Sequence, residues 1–312
     1  MTRMTTNISQ EAAEPTLYGA SLESANTPIR PVHDFFSSLA TSPSGLAGVV
    51  LLGIIFLATV FADILPLADP QKRSLAMRYL PPLWELRGIS GHPLGTDAQG
   101  RDILARIVYG ARSSIAVGVC AVALSGAVGL LIGIVAGMRG GVIDVVLMRI
   151  VDAIMAIPAI LFMLVVALVA GSGIAPLIIV IALTNWVVYT RIVRAEVLRV
   201  KDMEFVAAAR VSRVGSISLL FRHILPNLLP SFIVVATLNV GTVILTESSL
   251  SFLGFGIEPP QISWGQMMAE GREQLATSWW ISTFPGIALT ITVFSIILLG
   301  DWLRDHLDPR MS

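Results

Sequence analysis

Asp152 and Glu247 are acids placed inside long apolar runs of this chain. A carboxylate in hydrocarbon is costly unless it faces protein or water, and carriers driven by an ion gradient use such groups as relays. Both stand near the ends of their runs, where a carboxylate reaches interfacial water, so a structural or helix-end role is favoured over a relay. Other chemistry is thinly provided for. Cys120 is the single cysteine and sits in an apolar run, which excludes an intrachain disulfide or thiolate cluster and reads as a small packing residue. His33, His92, His223 and His306 are far apart, with nothing like H-E-x-x-H, so no metal site is expected. The only lysines, Lys72 and Lys201, follow Gln71 and Val200, so a G-x-x-x-x-G-K-[ST] phosphate loop is absent and any ATP chemistry belongs to another chain. Nothing here reads as an enzyme.

One polar stretch interrupts the apolar sequence: "EFVAAARVSRVGSISLLFRHILPN", residues 204–227. Phe205, Ala208, Ala209 and Ser212 recur at i, i+3, i+4 and i+7, one face of a helix, while Arg210 and Arg213 project elsewhere. Ile217, Leu220, Phe221 and Ile224 repeat the spacing before Pro226, which is expected to stop the second helix. An interfacial helix on an anionic leaflet would account for the arginines. It leaves three consecutive alanines unexplained, because alanine is a poor membrane anchor and a good surface for close contact. Helix-in-groove docking onto a partner fits better.

The elements around this stretch follow from composition. The chain has 312 residues, 54% hydrophobic and 13% charged, against about 25% charged in soluble domains. Its mean hydropathy is +0.78. Formal net charge is zero, without the basic excess of a nucleic-acid binder. A span needs about 20 apolar residues. Six such runs lie near 46–67, 115–137, 147–171, 174–193, 229–250 and 281–300, which implies an all-α integral membrane protein. The polar tail, 1–42, is too long before the first run to be a cleavable signal, and Phe35 and Phe36 could dock it on the membrane. The expected order is the tail, an anchor at 43–67, an extracytoplasmic loop at 68–114, a five-span core at 115–303 containing the loop 196–227, and a tail at 304–312. Arginines concentrated at 191–222 place that loop and both termini in the cytoplasm, although 68–114 carries seven basic residues of its own.

Within the spans, Gly129, Gly133 and Gly137 repeat every four residues and offer a face for close helix packing. Pro158 follows Asp152 in the third run and marks a bend. Trp279 and Trp280 open the last run as an aromatic belt, or as a stacking surface for substrate. "IEPPQISWG" suggests a rigid turn.

At residues 204–227 the sequence resembles the EAA loop of permease subunits in binding-protein-dependent ABC importers. "FRHILPN" (221–227), "HPLGTDAQGRDILARIVYGAR" (92–112) and "TESSLSFLGFGIEPPQISWG" (246–265) are similar to signatures of the C-type permease in the dipeptide, oligopeptide and nickel branch. The resemblance spans roughly 45–309. It implies about six transmembrane helices of the importer permease type, with Glu204, Phe205, Ala208, Ala209, Arg210, Arg213, Gly215, Ile224, Leu225 and Pro226 coupling to an ATPase. It further implies a homologous permease subunit, two ATPase domains holding ATP and Mg2+, an extracytoplasmic solute-binding protein, and a bacterial plasma membrane location. One departure is visible: the family's glycine four residues after the second alanine is Arg213 here. Arginine should resist the left-handed turn glycine permits, so the bend is expected to move to Gly215, or Arg213 to find an acidic partner.

Overall fold

The computed structural model describes residues 38–307, so Phe35, Phe36 and most of the polar tail lie outside the described residues. Ten helices of the described chain organise it: α1 (Pro43–Val60), α2 (Ile103–Arg139), α3 (Gly141–Met155), α4 (Ala159–Ala170), α5 (Ile174–Lys201), α6 (Glu204–Val211), α7 (Ser216–Leu219), α8 (Leu225–Phe252), α9 (Trp264–Gly271) and α10 (Trp280–Leu307). Five stretches are long and apolar enough to cross a bilayer alone: Pro43–Asp63, Ile103–Arg139, Ile174–Lys201, Ser216–Phe252 and Trp280–Leu307.

The sixth expected span is not one helix. α3 and α4 meet at 87° across residues 156–158. Pro158 holds φ −54° and ψ 121° as the N-cap of α4, outside the helical region. Proline disfavours helix in the residue before it and supplies no N–H, so the run breaks where the sequence suggested only a bend. α2 also starts earlier than its apolar run: Asp102 accepts a hydrogen bond from the Ala105 backbone N–H at 2.7 Å, so residues 103–114 are helix rather than loop.

The elements have two ends. At the proximal end the Ser38 hydroxyl lies 3.1 Å from His306 Nδ1, and Lys201 donates to the carbonyls of Gly137 and Met138, both at 3.2 Å. At the distal end Gln71 reaches the carbonyl of Pro260 at 3.0 Å, and the Gly173 N–H donates to the Gly256 carbonyl. Helices alternate between the ends, and glycines stand at the closest approaches of the longest packed surfaces. α2 lies against α5 through its glycine face: a Cβ on Gly129, Gly133 or Gly137 would come within 2.4–2.7 Å of Tyr189, Val193 or Val197. α10 packs on α8 through Ile244, Val293 and Ile296, and on α1 where a Cβ on Gly48 would lie 2.9 Å from the Ser295 carbonyl. Two ion pairs join α3 to α5, a forked Asp144–Arg194 contact and Asp152–Arg191. Cys120 is exposed on α2 and packs in no core, contrary to its sequence reading.

Candidate functional site

The segment 204–224 caps the proximal end. Val206 and Ala209 are buried against Val193, Val197, Val200, Leu219, Ile224 and Leu228. The inward face of α6 is thus Val206 and Ala209, and the stripe read from sequence is split: Phe205 and Ala208 point outward while Ala209 does not. Ile224 is likewise fully buried. Ala209 and Ile224 fix the segment to its own bundle; they do not present it. The outward set is Glu204, Phe205 (41% exposed), Ala208, Arg210, Val211, Arg213, Gly215, Ile217, Phe221 and Pro226, with Leu225 half-buried. Four large apolar side chains exposed beside Arg210, Arg213 and Arg222 form a surface that ordinary solvated helices avoid.

Two local expectations fail for identifiable reasons. Arg213 adopts φ +56° and Gly215 stays at φ −63°. The turn therefore remains at the arginine. The Val214 N–H donates to the Ala209 carbonyl at 3.1 Å and the Arg213 N–H to the Arg210 carbonyl at 2.9 Å, the paired bonds of a Schellman cap with Arg213 where glycine is usual. Val214 and Ala209 lie in the same apolar cluster, the contact that accompanies this cap. Those bonds outweigh a left-handed cost of about 1–2 kcal/mol. Pro226, for its part, does not stop the second helix. A π-helical turn, Leu220–Ile224, joins α7 to α8, and Pro226 follows it directly, its missing N–H accommodated where the bonding has shifted to the π pattern.

The distal end holds the buried charge. Asp97 accepts from Arg101 Nε at 2.6 Å and pairs with Arg106, and Glu270 of α9 accepts from both arginines at 2.7 Å. Arg106 is only 1% exposed. Burial alone would raise the Asp97 carboxyl; Arg106, the Arg101 backbone N–H, the Arg101 charge and the Gln99 N–H together hold it below the ordinary carboxylate value. Trp280 is buried and donates its indole N–H to the Thr96 carbonyl at 3.1 Å, so it belongs to this cluster and not to an aromatic belt; Trp279 is partly exposed. Beside the cluster a cleft of about 500 Å³ is lined by Asp69, Gln71, Tyr109, Arg112 and Gln261. Asp97 and Arg101 stand four apart and suggest a pair, but Glu270 is 164 residues from Arg106 and no local pattern announces it.

The two acids that opened the sequence reading have different surroundings. Asp152 is half-exposed and paired with Arg191. Glu247 is fully buried and reaches no interfacial water, contrary to expectation. Its carboxylate accepts from Ser251 at 2.8 Å, Ser114 at 3.2 Å and Ser248 at 3.3 Å. Nothing in these contacts favours an ion relay.

Comparison with known proteins agrees with this geometry. Residues 129–312 match the family described as "Binding-protein-dependent transport system inner membrane component". The chain is 34% identical to a di/tripeptide transport system permease protein, DppC, of Pseudomonas aeruginosa over 90% of its length and 93% of the relative's. It is 41% identical to a putative peptide transport system permease protein of Brucella suis, covering 85% of this chain and 87% of that one. With the dipeptide transport system permease protein DppC of Haemophilus influenzae it shares 34% identity over 91% and 97%.

Proposed function

We infer a mechanism from the premise that this chain belongs to the family of binding-protein-dependent transport system inner membrane components: it is the permease subunit of an ATP-driven importer, and it works by transmitting movement, not by catalysis. The named relatives carry peptides or dipeptides, and peptides or a related small solute are the proposed cargo here. The chain forms half of the path with a homologous permease subunit. Two ATPase domains, which hold ATP and Mg2+, grip the proximal end, and a solute-binding protein docks at the distal end. The proximal end and both termini are then cytoplasmic in a bacterial plasma membrane. On the domain scheme, residues 43–67 anchor the chain, the segment 68–102 with 253–279 forms an outer cap, and the core through residue 303 carries the coupling loop.

The observation that carries this reading is the outward face of 204–224. It is held to the bundle by Val206, Ala209 and Ile224, which makes it rigid, yet it leaves Phe205, Val211, Ile217 and Phe221 uncovered. A short helix with a fixed base and an apolar outer face suits a cleft in a moving partner. Glu204, Arg210 and Arg213 rim that face and set its register. ATP-driven approach of the two ATPase domains pulls on the segment, and the spans rock between inward and outward openings.

The test is co-purification from mild detergent and uptake in vesicles, comparing wild type with Ala208→Glu. The variant is expected to insert normally, to lose the ATPase and to lose uptake. Ala208 is exposed, so a charge there leaves the bundle packing alone. Normal uptake at normal expression would refute the coupling role.

A further inference from the structure

We propose that Glu247 is the joint between the distal cap and α8, so that a partner seated on the cap moves the rod whose other end carries the coupling segment; this rests on the importer reading above. The cap is tied together and to the start of α2. Arg101 bridges Asp97 to Glu270 and Gln71 holds the Pro260 carbonyl, while Arg106 of α2 joins the same two acids and Trp264 donates its indole N–H to the Ile107 carbonyl of α2 at 2.9 Å. The rod is helical from Ser216 to Phe252, so one element touches both ends of the bundle.

Glu247 stands where the two meet. Two of the hydroxyls that donate to it are engaged by the cap: the Trp264 N–H donates to Ser114 Oγ on α2 and the Ile257 N–H to Ser251 Oγ on the rod, both at 3.3 Å. Ser251 is already part of the rod, so the chain of bonds that meets the rod at Glu247 itself runs from the Trp264 backbone through Ser114 on α2. The approach is close as well, since a Cβ on Gly265 would lie 2.5 Å from the Ser248 Cα. Apolar packing could hold these elements together at less cost than a buried acid that accepts only hydroxyls. Ser263 of the cap is a fourth hydroxyl bonded to Glu247, and a carboxyl group ringed by four hydroxyls can trade one partner for another as elements shift. That property suits a joint that moves under load, and it is unnecessary in a fixed weld.

The experiment uses the full complex, both permeases, the ATPases and the binding protein, in lipid nanodiscs. ATP hydrolysis is measured with and without substrate-loaded binding protein. Glu247→Ala is expected to reduce the stimulated-to-basal ratio about fivefold or more, the low end of coupling between distant sites. Glu247→Gln, which keeps an acceptor oxygen, should recover most of the ratio. Ser114→Ala and Ser251→Ala each remove one donor and test the joint if Glu247→Ala fails to assemble; both are expected to lower the ratio partially. Wild-type ratios in Glu247→Ala, or in both serine variants, would overturn the joint while leaving the importer reading intact. A wild-type complex indifferent to loaded binding protein would overturn that reading, and the joint with it.

Discussion

Arg213 shows how much a single backbone angle can be held by its surroundings. Its left-handed φ of +56° is kept by the two bonds of the cap and by Val214 seated on Ala209. Glycine adopts that region without the Cβ penalty, so Arg213→Gly is expected to stabilise the protein by about 1 kcal/mol. Thermal unfolding in detergent checks this; a lowered midpoint would show the arginine side chain to be worth more than its strain. Gly215→Ala should change little, because Gly215 has ordinary φ and open space where a Cβ would go. At the other end, Asp97→Asn leaves Arg106 buried with one carboxylate instead of two, and breaking such a cluster costs about 3–5 kcal/mol. The same carboxyl makes stability depend on pH. Its folded value is depressed, so its contribution is complete above the unfolded value of about 3.9 and is lost as pH falls through the lower folded value. An acid titration of unfolding should show a step below about pH 4 in wild type that Asp97→Asn lacks.

Helices and their contacts were legible in the sequence in proportion to how local their cause was. The four-residue glycine repeat of α2 is a local pattern, and it lies against Tyr189, Val193 and Val197 of α5. Gly133→Val would drive a branched side chain into Val193 and the Thr190 carbonyl, both closer than 3.0 Å to the added Cβ. A loss of about 1–3 kcal/mol is expected from such overpacking, read as reduced assembly in detergent; Gly53→Val, with nothing near its Cβ, is the control. Pro158 was visible too, but proline alone does not say whether a helix bends or breaks; at the 87° turn α3 is held to α5 by the Asp144–Arg194 and Asp152–Arg191 pairs and α4 by Met163 and Ala167, buried in one cluster with Leu177, Val180 and Ile181. Of the α6 stripe read as a docking face, Phe205, Ala208 and Ser212 are exposed and Ala209 alone is buried, because alanine reads the same on either face; Val206, which is buried with it, was passed over. Tertiary contact decided which side turned inward. Glu270, Ser114 and Trp264 reach their partners across more than a hundred residues, where periodicity carries no information.

At the scale of the whole molecule, the two ends carry comparable basic charge, and pairing explains why a count of arginines is a weak guide to orientation. Arg101, Arg106 and Arg112 at the distal end are bound to Asp97, Glu270 and Asp63. Arg191 and Arg194 near the proximal end are bound to Asp152 and Asp144. A stronger argument comes from the chemistry of the partner. ATP is a cytosolic substrate, so under the proposed mechanism the surface that grips an ATPase is cytoplasmic, and the face proposed for that role, open on Phe205, Val211, Ile217 and Phe221, is at the proximal end. This orientation puts the cap, with its tied charges and its cleft, outside, where a binding protein can reach it. Replacing Cys120, the single cysteine, by serine gives a background for labelling with a membrane-impermeant maleimide. Gln261→Cys, exposed on the cap, is expected to react in spheroplasts, and Asp202→Cys, exposed just after α5, only once the membrane is opened. The opposite pattern would place the ATPase-facing segment where no ATP exists, and the coupling mechanism would have to be abandoned along with the orientation.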